Sequence, residues 1–379
     1  MSDAALQLHM DAIVVDGHAD TIGRALDDGE DLGLETGKGH LDLPRMFRGG
    51  LDAQFMSCFV EPKYLHRKEA AKRAFRMIDA VKQWAAKYPD RLAIARTAAD
   101  VRRAAAAKKV CGILCIEGGH AIEEDLGLLR SFFELGVRYM TLTWNNSLSW
   151  AEAARDPGKG KGLTDFGRDV VREMNRLGML VDLSHVHENT FWDAIATTNT
   201  PVIASHSCAR ALCDHVRNLK DDQLRALAKN GGVVGVNFYS GFLSQTFFDR
   251  KKKADLADDE ERARAREKHQ DDPAAMDRAL KEISRTYDRS EFEMERPPLD
   301  LLIDHIEHIA KVAGIDHVGL GSDFDGVTAL PEGVQDCSDL PNLTRRLLER
   351  GFSETDVRKV LGENFLRVME RSIDRVVYR

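Results

Sequence analysis

No stretch of the 379-residue chain approaches the roughly 18 consecutive apolar residues of a membrane span. The opening "MSDAALQLHMDAIVV" also lacks the basic flank and unbroken apolar run of a secretory signal. Both absences point to a cytoplasmic protein. Positive charge is in short supply: a formal net charge of -8 and a pI near 5.9 give no general attraction to nucleic-acid backbones or anionic lipid. Cysteine is sparse and unpatterned. Cys58, Cys111, Cys115, Cys208, Cys213 and Cys337 form no CxxC pair and sit mostly among apolar neighbours, so reduced, buried thiols and no disulfide are expected.

What the chain does have is 43% hydrophobic residues, ample for a large core, arranged as short Val- and Ile-rich runs between helical patterns. That alternation predicts βα units on a parallel sheet. The runs are "AIVVDGHAD", "AQFMSCFV", "KVCGILCIEGG", "VRYMTLTWNN", "MLVDLSHVH", "PVIASHS", "GVVGVNFYS" and "HVGLGSDFDG". Eight repeats predict a closed (β/α)8 barrel of the TIM type, one domain over residues 1–379.

Helices are expected over Arg67 to Lys87, Leu126 to Leu135, Asp165 to Leu177, Glu188 to Thr197, Asp221 to Lys229 and Leu299 to Ala313. Gly136, Gly178 and Gly314 stand where left-handed C-terminal caps would fall. The last segment opens with a Ser353 and Asp356 pair resembling a capping box and continues with apolar residues at helical spacing. Residues 243–298 depart from the repeat, being charged and helix-prone, with Met276, Leu280, Ile283 and Tyr287 on one stripe. They read as a helical excursion between strands seven and eight, either a solvated face or a lid over the barrel mouth.

In a parallel barrel the C-terminal strand ends converge on one mouth. Run one ends in His18 and Asp20, run three in Glu117, run five in His185, run six in His206 and run eight in Asp323. Taken singly, each is more often an ordinary hydrogen-bonded residue than a ligand: Asp323 in "GSDFDG" suits a turn, and Glu117 suits an ion pair. Together they outweigh that reading, because an apolar barrel has no other reason to end its strands in ionisable groups. Alternation lets His18 and Asp20 grip one ion, and Glu117 stands between histidine-bearing strands where it can bridge two. Nitrogen and oxygen donors without thiolate suit zinc, manganese, iron or cobalt. Two divalent ions roughly 3.5 to 4 Å apart hold a hydroxide and polarise a carbonyl, which is hydrolase chemistry.

His187, His120 and Asp325 are candidates for orienting the ligands. His305 and His308 are assigned to a polar helix face. "GKGKG" at Gly158 to Gly162 lacks a phosphate loop's spacing and reads as a flexible loop.

The segments "DGHAD", "IEGGH", "GVRYMTLTWNN", "LTDFGRDVVREMNRLGMLVDLSHV", "PVIASHS" with "RNL" beyond it, "GVNFY" and "GSDFDGV" together resemble the renal or membrane dipeptidase family of the amidohydrolase superfamily. The resemblance runs from about Ile13 to Val368 with the order preserved. It implies two zinc ions, His18 and Asp20 on the first, His185 and His206 on the second, and Glu117 between them. It further implies Asp323 as catalytic acid and base, Arg217 as the holder of the substrate's carboxylate, a homodimer, and dipeptide substrates often ending in a D-residue. The chain departs where many members carry a histidine after "TLT": here Trp144 stands, facing the substrate in place of a titratable ring. Two alternatives stay open, a binuclear amidohydrolase acting on another amide or a lactone, and a metal-binding scaffold without turnover.

Overall fold

The computed structural model describes residues 3–270 and 272–375. Nine parallel strands form the sheet: β1 (Val15–Ala19), β2 (Ala53–Phe59), β3 (Leu92–Ile94), β4 (Val110–Glu117), β5 (Tyr139–Thr141), β6 (Leu180–Asp182), β7 (Ile203–Ala204), β8 (Val233–Val236) and β9 (Val318–Leu320). Pairing of β2 with β4 closes the sheet into an eight-stranded barrel. Each of the eight expected runs holds one barrel strand. The extra strand, β3, pairs only with Val110 to Gly112 at the start of β4 and stands outside the closure. At three residues it is too short to show alternation.

Inward-facing residues such as Val15, Phe55, Ile113, Tyr139, Leu180 and Val233 form one buried cluster with Phe365 from the C-terminal helix. Glycines make room for that aromatic ring, since a Cβ at Gly17 of β1 or Gly319 of β9 would lie 2.6 Å from it. The outward-facing residues, Val14, Ala19, Val181 and Val234 among them, join the larger cluster beneath the helices. In β1 the register to β2 shifts between Asp16 and Ala19. The extra residue lets Val15 and His18, three apart, both turn inward.

The helices Leu126–Leu135, Asp165–Leu177, Glu188–Thr197 and Leu299–Ala313 lie where expected; Asp221–Asn230 runs one residue further. The first expected helix, Arg67 to Lys87, begins at Ala70 and ends at Lys87, and a separate short helix, Pro62–His66, precedes it. Gly136 and Gly178 are left-handed caps with φ of 112° and 83°. Gly314 is not: its φ of 96° comes with an extended ψ of 150°, because the chain turns there directly into a short 3-10 segment at Ile315–His317. All six cysteines are buried and free. No described helix is long and apolar enough to cross a membrane.

The excursion folds as two helices, Gln245–Lys268 and Pro273–Phe292, packed on each other between β8 and β9, the seventh and eighth barrel strands. Ile283 is buried on the expected stripe; the side chain of Tyr287 lies outside the described residues.

The C-terminal helix, capped by Ser353, is interrupted by π turns at Lys359–Glu363 and Glu370–Asp374. Gly362 in the first lies so close to β1 that a Cβ would meet the Ile13 carbonyl oxygen at 2.2 Å. Glycine to alanine inside a helix ordinarily stabilises by about 1 kcal/mol. Gly362→Ala is expected to do the opposite, costing about 2 kcal/mol in urea unfolding through this backbone clash. A stabilised variant would show that the close approach is not required.

Candidate active site

The strand tips assemble the six residues that the sequence nominates. His18 is fully buried, and its Nδ1 lies 2.7 Å from the Tyr139 hydroxyl. That hydroxyl donates to the Gly17 carbonyl at 3.1 Å, so it accepts from His18 and places the imidazole proton on Nδ1. The Nε2 lone pair then faces two carboxylates, Glu117 Oε2 at 3.4 Å and Asp20 Oδ2 at 3.7 Å. It is buried without a hydrogen-bond partner.

The other two histidines repeat the pattern. His206 Nδ1 lies 2.8 Å from Ser205 Oγ, which donates to Asp182 at 2.7 Å. His185 Nδ1 lies 3.0 Å from the Asn145 side-chain carbonyl. Both rings thus carry their proton on Nδ1, and their bare Nε2 atoms face each other at 2.9 Å. Two lone pairs at that distance repel unless a cation sits between them. Glu117 completes the arrangement, with Oε1 at 2.9 Å from His185 and 3.7 Å from His206 while Oε2 turns to His18.

The electrostatics agree for two of the three rings. Burial and then the nearby cationic side chains hold His185 and His206 well below the ordinary imidazole value, in the neutral form that ligates metals. Burial also lowers His18, but the Glu117 and Asp20 charges more than offset it and leave that ring well above its usual value. Burial, followed by the Asp20 charge, pushes Glu117 up to about 7. Burial likewise raises Asp323. Carboxylates crowded into a dry volume repel one another, and divalent cations relieve that repulsion.

The residues fit such ions. His18, Glu117 and His206 bring ligand atoms within 4.8 Å of one another, as do His18, Asp20 and Asp323. A Cβ at Gly326 would lie 2.3 Å from both Asp20 Oδ2 and Asp323 Oδ1, so only glycine leaves that space open. His185 and Asp323 sit at φ of 68° and 63°, a left-handed conformation costing about 1–3 kcal/mol in non-glycine residues, held by the surrounding bonds. For Asp323 these include a hydrogen bond from Asn237 Nδ2 at 2.8 Å and one from its own amide to the His18 carbonyl at 3.1 Å.

Around this cluster lies a cavity of about 290 Å³ whose lining includes Trp144, Arg217, Tyr239 and Asp323. Trp144 packs on Phe59 with ring centroids 4.9 Å apart. Arg217 is buried, its Nε has no partner, and its Nη2 donates a long hydrogen bond to the His206 carbonyl at 3.4 Å. Burial lowers its pKa to about 10, yet it remains charged at neutral pH.

The three residues expected to orient ligands do other work. His187 caps the helix Glu188–Thr197, accepting from the Asn189 amide. His120 bonds the Val60 carbonyl at 2.6 Å, and Asp325 ties Thr21, Arg24 and the His40 amide together. The groups that hold the ligands are Tyr139, Asn145 and the Ser205 and Asp182 pair. Sequence offers one clue to them: Asp182 ends the apolar run that leads into His185, three residues further on. His305 does not lie on a polar face; it is fully buried, accepting from the Ala209 amide and bonding the Leu243 carbonyl. Only His308 faces outward, to Asp221. The glycine-rich loop wraps an anion from its own chain: Glu152 accepts from the amides of Lys159 and Gly162.

Comparison with known proteins agrees with this geometry. The family model described as membrane dipeptidase (peptidase family M19) matches residues 2–376. A crystal structure of a dipeptidase AC, a metallopeptidase of family M19, is 30% identical, with a TM-score of 0.78 over 96% of this chain and 99% of that one. A metallopeptidase from Rhodobacter sphaeroides, liganded with a phosphinate mimic of the dipeptide L-Ala-D-Ala, is 30% identical, with a TM-score of 0.77 over 96% of this chain and 100% of its own. The probable dipeptidase PvdM from Pseudomonas aeruginosa is 25% identical at a TM-score of 0.83, covering 98% of each chain. The chain belongs to the membrane dipeptidase family, peptidase family M19, and with it to the metal-dependent hydrolases.

Proposed function

We propose that this protein hydrolyses the peptide bond of dipeptides, including those with a C-terminal D-residue, at a rim that holds two zinc ions. The observation that carries the reading is the set of three buried imidazoles whose Nε2 atoms converge on the two oxygens of Glu117. His18 and Asp20 would hold one ion, His185 and His206 the other, and Glu117 both. Bound there, the ions supply Lewis-acid polarisation of the scissile carbonyl and a lowered pKa for water.

The chain's own groups do the rest. Asp323 takes a proton from the attacking water and delivers it to the departing amine. Asn237 engages its Oδ2, which leaves Oδ1 to carry the proton. Arg217 fixes the substrate's α-carboxylate, which restricts the site to dipeptides, since a longer peptide would present an amide there. Trp144 forms an aromatic wall of the cavity and offers one N–H donor. The D-residue is included because the Rhodobacter sphaeroides relative is liganded with a mimic of L-Ala-D-Ala.

A steady-state screen of L,L, L,D and D,D dipeptides on zinc-loaded enzyme tests the reading, with N-acyl lactones and nucleobases as controls. Cleavage of a lactone or base but of no dipeptide would overturn it. Metal content gives a second handle. Chelated protein titrated with zinc is expected to unfold several degrees higher, since a ligand at a thousandfold excess over Kd stabilises by about 4 kcal/mol. His206→Asn should bind one ion fewer by elemental analysis. An unfolding temperature indifferent to zinc would remove the metal centre.

A further inference from the structure

Next to the catalytic cavity lies a second one of about 380 Å³, and the two share Arg155, Tyr239 and Lys251 in their linings. We propose that this annex receives the side chain of the substrate's C-terminal residue and selects a carboxylate there, so that dipeptides ending in Glu or Asp are preferred. The inference rests on the dipeptidase reading above.

The position of Arg217 sets the direction. With the α-carboxylate on that guanidinium, the side chain of the same residue is left to extend along the adjoining wall. Tyr239 forms that wall, its hydroxyl donating to Glu291 at 2.7 Å. Lys251 and Glu291 come from the two helices of the excursion and stand 3.6 Å apart, so the excursion builds one side of the annex.

Charge decides what the annex accepts. Its lining carries Arg155, Lys251 and Lys252 against the single carboxylate of Asp255. Lys251 is already neutralised, paired with both Asp255 and Glu291. Arg155 is exposed, and among the described residues no ion pair or hydrogen bond holds it. Its charge is felt at Arg217, which it opposes. His215, on the same lining, adds no charge, since burial and then the Arg217 charge push it down to about 3. Once a substrate's α-carboxylate has compensated Arg217, Arg155, Lys251 and Lys252 still exceed the carboxylates of Asp255 and Glu291 by one positive charge. A second carboxylate pairs with them; an amine meets like charge.

The test compares L-Ala-X dipeptides with X as Glu, Gln or Lys, in both the L and D series, on zinc-loaded enzyme. Glu is expected to exceed Gln about five- to tenfold in kcat/KM, mostly through KM, and Lys to fall below Gln. The ratio should shrink toward unity in roughly 0.5 M salt. Arg155→Glu should invert the order, with Lys above Glu. Calorimetry with phosphinate mimics of Ala-Glu and Ala-Gln gives a readout free of turnover and should show the same ranking. Equal kcat/KM for Glu and Gln overturns the annex and leaves the dipeptidase reading intact. Hydrolysis of none of the dipeptides overturns that reading and the annex with it.

Discussion

Asp323→Asn is expected to keep two zinc ions per chain and to lose about three orders of magnitude in kcat, with KM little changed. The size follows from the role: a positioned acid and base contributes about 10²–10⁴-fold. The substitution is chosen to spare the fold. Position 323 has a φ of 63°, a conformation that asparagine tolerates better than most residues. Its side-chain oxygen can still accept the hydrogen bond that Asn237 donates. What asparagine cannot do is take up a proton from water. A rival role exists, because Asp323 brings a carboxylate oxygen within 4.8 Å of ligand atoms on His18 and Asp20, close enough to be a ligand itself. Elemental analysis separates the two roles. A drop from two ions to one would make Asp323 a ligand, and a variant retaining most of its turnover would take Asp323 out of the chemistry.

The barrel was legible because closure imposes a simple pattern on the sequence. Strands buried on both faces read as short apolar runs, and the groups that end them stand out by contrast, which is why His18, Glu117 and His206 could be picked from one sequence. Helix ends were legible where glycine marks a left-handed cap, as at Gly136 and Gly178. Gly314 shows the limit of that signal, since glycine also serves positive φ with extended ψ.

The rest depends on partners far apart in the chain. Tyr139 orients His18 across 121 residues, and nothing in "VRYMTLT" marks its hydroxyl for that task. The register shift in β1 is equally silent: strict alternation puts Asp16 and His18 on one face, yet Asp16 bonds the amide and hydroxyl of Ser322, just past the end of the neighbouring strand β9. Burial pushes that carboxyl up to about 6. The excursion was readable as helix from its charge and periodicity. That Lys251 and Glu291 reach the cavity could not be read, because the way a helical hairpin folds back is set by tertiary packing and not by local propensity.

Arg217→Met is expected to lower kcat/KM for dipeptides by a factor of about 30 to several thousand, mainly through KM, as truncating a charged partner costs about 2–5 kcal/mol. The intact enzyme should discriminate against dipeptide C-terminal amides by a similar factor, and the variant should have lost most of that discrimination. Stability supplies the contrast that a merely structural arginine would not give. Without substrate, Arg217 is a buried cation with an unpartnered Nε and one long contact to a carbonyl, over the face of Phe242 at 5.5 Å. Burying a charge so poorly satisfied is unfavourable, and a methionine of similar length removes that cost. Zinc-loaded Arg217→Met should therefore unfold at a temperature no lower than the parent, because cations held at the rim would offset the Glu117 and Asp323 charges that otherwise attract the guanidinium. Poorer binding joined to undiminished stability marks a group held in strain for its ligand. A variant that unfolds several degrees lower, or that cleaves dipeptides and their amides with the parent's preference, would make Arg217 part of the scaffold.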